Sequence, residues 1–380
     1  MSNKPLRVGV IGCGGIAQMM HLSHLAERPD LYEIKALADV SRDTLDAVGR
    51  RYHVTELHQD AQKVAAHPEV DAVLLLNSGS HFELARAVLE NKKHLFVEKP
   101  LGYGRKESEE LVRLAKAASV KTLIAYHKRF DPVFHKVREV VKGMGDDLRF
   151  IEVSVIHPDD GDFRAHHVIF PNPERPASRA STRQDYDLKG AQKAVTEGPL
   201  AKNITDIVGD KAPVAHRVAA KILNESLIHD INFIRGTIGE PEEVASATVW
   251  RDGFAQTSVT RFPRDIHATM SWVLVPGVRH YEETVRFIGS NTRVKMVFPS
   301  PYLKNFPTPL VIERMEGEEL VIESRTLSYE EAFRAEVRAF RDLIVEGKNA
   351  EVPITDGTGD AAWIEAIARS FSGGSNKIIR

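Results

Sequence analysis

Residues 8–18 read VGVIGCGGIAQ, and this stretch decides the fold. A β-branched, apolar run ends at Ile11, and Gly12-Cys13-Gly14-Gly15-Ile16-Ala17 follows at once. That is a G-x-G-x-x-A turn between a strand and a helix. Gly12 permits the tight turn, Gly14 lets the backbone approach a pyrophosphate, and Ala17 lets helix and strand pack closely. Gly15 and Ile16 open the helix, whose free N–H groups and positive partial charge favour a phosphate. Gly12, Gly14, Gly15, Ile16 and Ala17 are therefore candidate dinucleotide contacts. The motif is informative only in a strand–turn–helix context, so the neighbouring chain has to supply that context.

It does. Short apolar runs at 7–11, 34–38, 72–76, 95–97 and 122–125 alternate with helical patterns at 21–27, 42–51, 81–90 and 106–119. Strands alternating with helices imply βαβ units and a parallel sheet. A run such as AVLLL, apolar on both faces, is a strand covered from both sides. Residues 1–127 thus read as an α/β domain, a doubly wound Rossmann sheet. Past Arg129 the pattern changes. A helix is expected over 132–144 and a strand over 148–156. Residues 157–212, rich in Pro, Asp, Arg and Gly, read as an inserted segment with short helices, a lid or an oligomer contact. A long helix over 212–238 stops at Gly239-Glu240-Pro241. Alternating runs from 243 to about 323, then helices at 329–346 and 357–371, complete an α+β domain over 128–380 with a mixed, largely antiparallel open sheet.

Composition narrows the function. Of 380 residues, 51 are basic and 53 acidic, for a formal charge of −2. No basic footprint for nucleic acid or anionic lipid is present. No apolar run approaches the ~20 residues of a membrane span. The single cysteine, Cys13, excludes an intrachain disulfide and reads as packing, which fits a reducing compartment. With no apolar leader pattern at the N-terminus, the expectation is a cytoplasmic protein.

Asp39 ends the second strand, where a carboxylate can hold both ribose hydroxyls of NAD and repel the 2′-phosphate of NADP. NAD is the expected cofactor. Ser41 and Arg42, next in the chain, could instead hold that phosphate, so NADP stays open. Asp39 or Ser41 could also simply cap the next helix.

A further strand carries HLFVEKPLGYG at 94–104. With GCGGIA, DAVLLLNSGSH (71–81) and FVEKPLG in this order, the chain resembles the glucose–fructose oxidoreductase / inositol dehydrogenase (Gfo/Idh/MocA) family. The likeness is strongest over 6–132 and absent over 157–212. It implies a Rossmann domain followed by a mixed-sheet domain, and oxidation or reduction of a secondary hydroxyl on a sugar, cyclitol or related polyol. It implies that Lys99 of Glu98-Lys99-Pro100 lies near the nicotinamide and the reacting oxygen. An ammonium there would stabilise a developing alkoxide, and partial burial would pull its pKa toward neutrality. Glu98 would position Lys99 or touch the cofactor.

In NESLIHDINFIRGTIGEP (224–241), Glu225 and His229 stand at i,i+4 on one helix face. The family implies that His229 is the acid/base, a role for which imidazole has the right pKa range. Relatives often carry Asp at the place of Glu225 and again three residues after the histidine, where this chain has Asn232. Their Thr-Pro-rich loop after the AVLLL strand is replaced by Asn77-Ser78-Gly79-Ser80. Asn77 and His81 are cofactor-contact candidates, although His81 could simply pack at a helix start. Tyr126 and Arg129 are substrate-binding candidates, with Arg129 alternatively holding the domain junction. His157, Asp159, Asp162, His166 and His167 are of metal-ligand type, but their spacing matches no ligand signature, and no metal is expected.

The reading is therefore an NAD(H)-dependent oxidoreductase of a polyhydroxylated small molecule, with catalytic Lys99, His229 and Glu225. The alternatives are an NAD-dependent glycosidase working by redox and elimination, and a cofactor-binding regulator without catalysis. Apolar residues on the open sheet, Trp250, Met270, Trp272 and Leu274, call for a cover, and a homodimer or homotetramer is expected.

Overall fold

The structure, a computed structural model, describes residues 4–170, 188–374 and 377–378. The remainder of the 157–212 segment, 171–187, lies outside the described residues. Six strands form the first sheet: β1 (Leu6–Ile11), β2 (Tyr32–Ala38), β3 (Glu56–His58), β4 (Ala72–Leu75), β5 (His94–Glu98) and β6 (Thr122–Ala125). Their order is β3-β2-β1-β4-β5-β6, and every pair is parallel. The order reverses between β1 and β4, where doubly wound sheets bind ligands beyond the strands' carboxyl ends. Val8, Val10, Leu74, Phe96 and Val97 are fully buried, as strands covered on both faces require. Burying such a side chain is worth about 1.5–3 kcal/mol.

By packing, one compact unit comprises Met1–Phe130 and Ala332–Thr358, with the described residues 165–170 beside them. Helix Ala332–Val345 sets Phe340 edge-on to Phe96 at 5.6 Å and Phe333 edge-on to His21 at 5.6 Å. Its apolar stripe thus completes the core around β5.

The other unit holds an eight-stranded sheet. Its strands are β7 (Leu148–His157), β8 (Glu243–Trp250), β9 (Ala255–Phe262), β10 (Ile266–Leu274), β11 (Glu282–Gly289), β12 (Thr292–Phe298), β13 (Leu310–Glu316) and β14 (Glu319–Arg325). The order is β14-β13-β12-β11-β7-β10-β9-β8. It is antiparallel except for β7 with β10, which run parallel in register from His267↔Phe150 to Leu274↔His157. One face alternates inward: Ile151, Val153, Met270, Trp272, Phe287 and Met296 are all buried. Met270 and Trp272 therefore find their cover within the chain, and the expectation that they await a partner is corrected; Trp250 keeps 42% exposure.

Two helices lie on this core, Val133–Met144 and Ile228–Ile238, with Phe233 edge-on to both Phe134 (5.4 Å) and Phe298 (5.5 Å). The long helix expected over 212–238 is continuous but not uniform. Val214–Ile222 passes through a π-helical turn, Leu223–Leu227, into Ile228–Ile238. Asn224 Nδ2 donates to the Ala220 carbonyl at 2.9 Å, taking the acceptor its own backbone would use in an α-helix. Asn232, at the place where relatives carry Asp, is buried and donates to Asp360 at 2.9 Å. Asp360 also pairs with Arg235. Burial opposes the Arg235 charge, but Asp360 and Glu240 more than offset it and raise its pKa.

Candidate active site

The first unit builds its site from β1. Gly12 adopts φ +93°, and its N–H donates to Ala38 O at 2.8 Å. A Cβ there would lie 2.4 Å from the Asn77 nitrogen, so only glycine lets the ends of β1 and β4 close up. Gly14 is the opposite case: nothing lies within 4 Å of the position its Cβ would take. Helical backbone begins at Gly15, and Gln18 N donates to Gly14 O at 3.1 Å. The first-turn N–H groups have no intrahelical acceptors, as at every helix start. Ile16 is half-buried and Ala17 buried. Asn77 Oδ1, beside this turn, is buried with no hydrogen-bond partner among the described residues. An open glycine cradle, a free helix start and an orphaned acceptor together fit a dinucleotide.

Asp39 braces the turn. One carboxylate oxygen accepts from Cys13 N at 2.8 Å and the other from Ser41 N at 2.9 Å. Each oxygen keeps a lone pair for a further donor. Ser41 caps helix Arg42–Tyr52 by accepting from Thr44 N at 3.2 Å, and Arg42 pairs with Asp46 at 2.9 Å. Cys13 is buried, and burial, then Asp39, pushes its thiol pKa well up. It packs and is not a nucleophile.

His81 ties the loop after β4 to the loop after β5. Its ring nitrogens lie 2.6 Å from Pro100 O and 2.9 Å from Asn77 O. Burial pushes its pKa below the ordinary value, the two carbonyls working against that shift. It is a strut between the glycine turn's neighbour Asn77 and the Glu98-Lys99-Pro100 bend, whose Lys99–Pro100 peptide is cis.

At that bend Glu98 is buried and Lys99 half-buried. Glu98 holds His21 at 2.8 Å with one oxygen and accepts from the Lys99 backbone N–H at 3.2 Å with the other. Burial would raise the Glu98 pKa, but the His21 hydrogen bond and the Lys99 charge bring it below the ordinary value. Glu336, fully buried, completes a cluster with His21 and Glu98 whose three ligand-type atoms lie within 4.8 Å of one another. The cluster is supplied with positive charge by the chain itself. Lys99 acts on Glu98, and Lys99 and Lys128 both act on the neighbouring His127, whose pKa burial drives far down. Sequence reading missed His21 and Glu336, because nothing local links His21 to a partner 77 residues away. A π-helical turn, Ala17–His21, delivers His21; such turns recur at functional sites.

Tyr126 is buried, and Arg129 is 5% exposed. Arg129 donates to Glu351 O at 3.0 Å and Oε1 at 3.1 Å, and pairs with Asp356 at 3.4 Å. These contacts tie β6's exit to the segment after helix Ala332–Val345.

In the other unit, Glu225 lies on the π turn, exposed and paired with Lys221, and His229 is half-buried one turn on. Trp272 Nε1 donates to Ser226 Oγ at 3.1 Å, pinning this turn to β10. Among the described residues the 157–167 ligand-type side chains do not gather into a metal-binding group. Of them, Asp162 pairs with Arg279 at 2.8 Å, and the adjoining Asp160 pairs with Arg164 at 2.6 Å.

The first unit is thus a dinucleotide-binding Rossmann domain with a lysine at the end of its fifth strand. Residues 6–127 match the model of the oxidoreductase family with an NAD-binding Rossmann fold, GFO_IDH_MocA. It is 33% identical over 138 residues to a myo-inositol 2-dehydrogenase of Thermotoga maritima, a match covering 36% of this chain and 41% of that protein. The chain spans about two-fifths of the length of the curated relatives it matches, 41% and 40% for the first two. Over nearly its whole length it shares its fold with solved structures. A UDP-N-acetylglucosamine 3-dehydrogenase of Acidithiobacillus ferrooxidans superposes with TM-score 0.70 at 18% identity, covering 97% of this chain and 98% of that one. A 3-ketoreductase of Actinomadura kijaniata in complex with NADP gives TM-score 0.69 at 18% identity, covering 98% and 99%. Among the described residues no helix is long and apolar enough to cross a membrane.

Proposed function

We propose that the protein is an NAD(H)-dependent oxidoreductase acting on a secondary hydroxyl of a sugar, cyclitol or related polyol. The observation that carries this reading is a continuous set of contacts in the first unit: Gly12 against Asn77, Asn77 on His81, His81 on Pro100, and Lys99 braced by Glu98. It joins a dinucleotide turn to the backbone of Lys99 at the end of β5. A bound nicotinamide would supply the hydride acceptor or donor. In this reading the Lys99 ammonium polarises the reacting oxygen and stabilises its developing charge. The His229 imidazole takes or returns the hydroxyl proton. Glu225 orients a neighbouring hydroxyl. Gly12, Gly14, Gly15, Ile16 and Ala17 would hold the pyrophosphate, and Asn77 would offer its orphaned oxygen to the cofactor.

Asp39 supports NAD over NADP, because a carboxylate braced at the end of β2 repels a 2′-phosphate, and Ser41 and Arg42 are engaged with Thr44 and Asp46. The test is a fluorescence titration with NADH and NADPH, followed by absorbance of the reduced cofactor on adding sugars, cyclitols and glycosides. NADH is expected to bind tighter, and Asp39→Ala to weaken NADH about tenfold or more and to narrow its lead over NADPH. Tighter NADPH binding by the natural protein would reverse the cofactor assignment. Glycoside cleavage without net NADH would transfer the reading to the redox-elimination glycosidase.

A homodimer or homotetramer forms part of the proposal. The sheet face away from the helices keeps Phe150, Ile156, Val273, Ile288 and Val297 half-exposed between the charges of Glu152 and Arg286. Light scattering is expected to give a multiple of 42.4 kDa, and the mass of one chain would remove this part of the proposal.

A further inference from the structure

Beyond β7, the segment that matched no family pattern builds a polar cluster in the second unit. Arg164 donates to Asp160 Oδ2 at 2.6 Å and to Tyr302 Oη at 2.8 Å, its guanidinium stacked 4.2 Å above the Tyr302 ring. His157 approaches Asp160 Oδ1 at 3.7 Å, too far for a hydrogen bond. The His157 ring lies 5.4 Å from Trp272 and 5.6 Å from Tyr281. Trp272 in turn holds Ser226, the residue after Glu225. The cluster is therefore joined through side chains to the turn that carries Glu225.

Two features point to a ligand. Asp160 Oδ1 and Arg164 Nε are buried atoms with no hydrogen-bond partner among the described residues, while their side chains keep 17% and 38% exposure. Leaving such atoms unmet is costly, and a ligand can relieve that cost. Tyr281 and Tyr302 keep partly exposed surface, yet burial is the main cause that raises both hydroxyl pKa values, Tyr302 to about 12. Both tyrosines border the cluster, Tyr302 on Arg164 and Tyr281 on His157, and keep surface open to a ligand. Asp160 and Glu225 also raise the Tyr302 pKa, so its hydroxyl sits within electrostatic reach of both.

Charge selects the ligand class. Arg164 is matched by Asp160, Arg279 by Asp162, and Lys221 by Glu225. With each cation already paired, a carboxylate or phosphate would find no excess positive charge. A neutral hydroxyl both donates and accepts, and an acid–guanidinium pair offers one acceptor and one donor to two adjacent hydroxyls.

We propose that Asp160, Arg164 and Tyr302 form a subsite that binds a vicinal pair of hydroxyls on a neutral polyhydroxylated substrate. This rests on the polyol reading above and adds residues to it: one hydroxyl donates to Asp160 Oδ1, and its neighbour accepts from Arg164. Tyr302 holds the guanidinium in place and lends its own hydroxyl.

The test is calorimetric titration of the full-length protein, saturated with NADH, with myo-inositol, D-glucose and D-gluconate. The variants are Asp160→Asn and Tyr302→Phe, with Arg279→Gln as a control on a residue paired to the same segment and thermal midpoints as a check of folding. A neutral polyol is expected to bind the natural protein and Arg279→Gln alike, and to lose about tenfold or more in affinity in Asp160→Asn. Tyr302→Phe, the milder change, is expected to weaken binding in the same direction with an unaltered midpoint. Equal polyol affinity in the folded variants, preference for gluconate, or no binding of any of the three would overturn the subsite. Failure of the enzymatic reading looks different: a polyol binds and is lost in Asp160→Asn, but no reduced cofactor forms with any substrate.

Discussion

Lys99→Ala is expected to lower the proposed polyol turnover by about 10²–10³-fold, the usual consequence of removing one group that stabilises a developing oxyanion. NADH affinity stays within about threefold, because the turn that would hold the pyrophosphate does not involve the Lys99 side chain. The split between these readouts is the point of the experiment. Glu98 accepts from the Lys99 backbone N–H, a bond that alanine keeps, and the His21–Glu98 contact does not use the lysine side chain. The local frame should therefore survive. Lys99→Arg retains the positive charge but replaces a compact ammonium with a planar fork, so its turnover is expected to fall between the two. Stopped-flow reduction of NAD with the polyol found in the titration measures the chemical step directly. If the alanine variant reduces NAD at the natural rate, Lys99 is a structural lysine and the catalytic assignment falls.

The bracing of Lys99 also marks where sequence reading stops. The strand ending at Glu98 was legible, since a short apolar run between two helical patterns fits little besides a buried strand. The glycine turn was legible for the same reason: its residue types follow from backbone geometry, and backbone geometry is local. His21 was not, because its role depends on which helix face meets β5, and a π-helical turn shifts that face by a residue. Helix Ala332–Val345 showed an amphipathic stripe, but a stripe does not say which core it covers; its Phe333 and Phe340 go to the Rossmann unit. β3, three residues long and with no buried position, gives no apolar signal. β13 and β14 were missed in part because Met315, Leu320 and Ile322 are exposed there, so the inward–outward alternation is blurred. The Asp160–Arg164–Tyr302 cluster had no local signature either. Its charged loop read as solvated, and Tyr302 stands 138 residues beyond Arg164 in the chain.

Gly12 and Gly14 separate fold from ligand more sharply than any other pair in the chain. Gly12→Ala places a Cβ 2.4 Å from the Asn77 nitrogen and 2.6 Å from its Cα, at φ +93°. Those are backbone atoms and cannot swing aside. Strain and overpacking together are expected to cost about 2–4 kcal/mol, and NADH binding should vanish with the turn. Gly14→Ala meets nothing within 4 Å in the protein. Its thermal midpoint is expected to stay near the natural value, because no native contact is crowded. The added methyl instead occupies the side from which a pyrophosphate would approach, so NADH affinity should fall by about a hundredfold. Calorimetric melting and NADH fluorescence on the two variants therefore form a closed comparison. Loss of binding in both, with loss of stability only in Gly12→Ala, means the space over Gly14 is where the dinucleotide lies. Natural NADH affinity in a folded Gly14→Ala would mean that the opening is not the cofactor's, and the assignment of this turn would have to be given up.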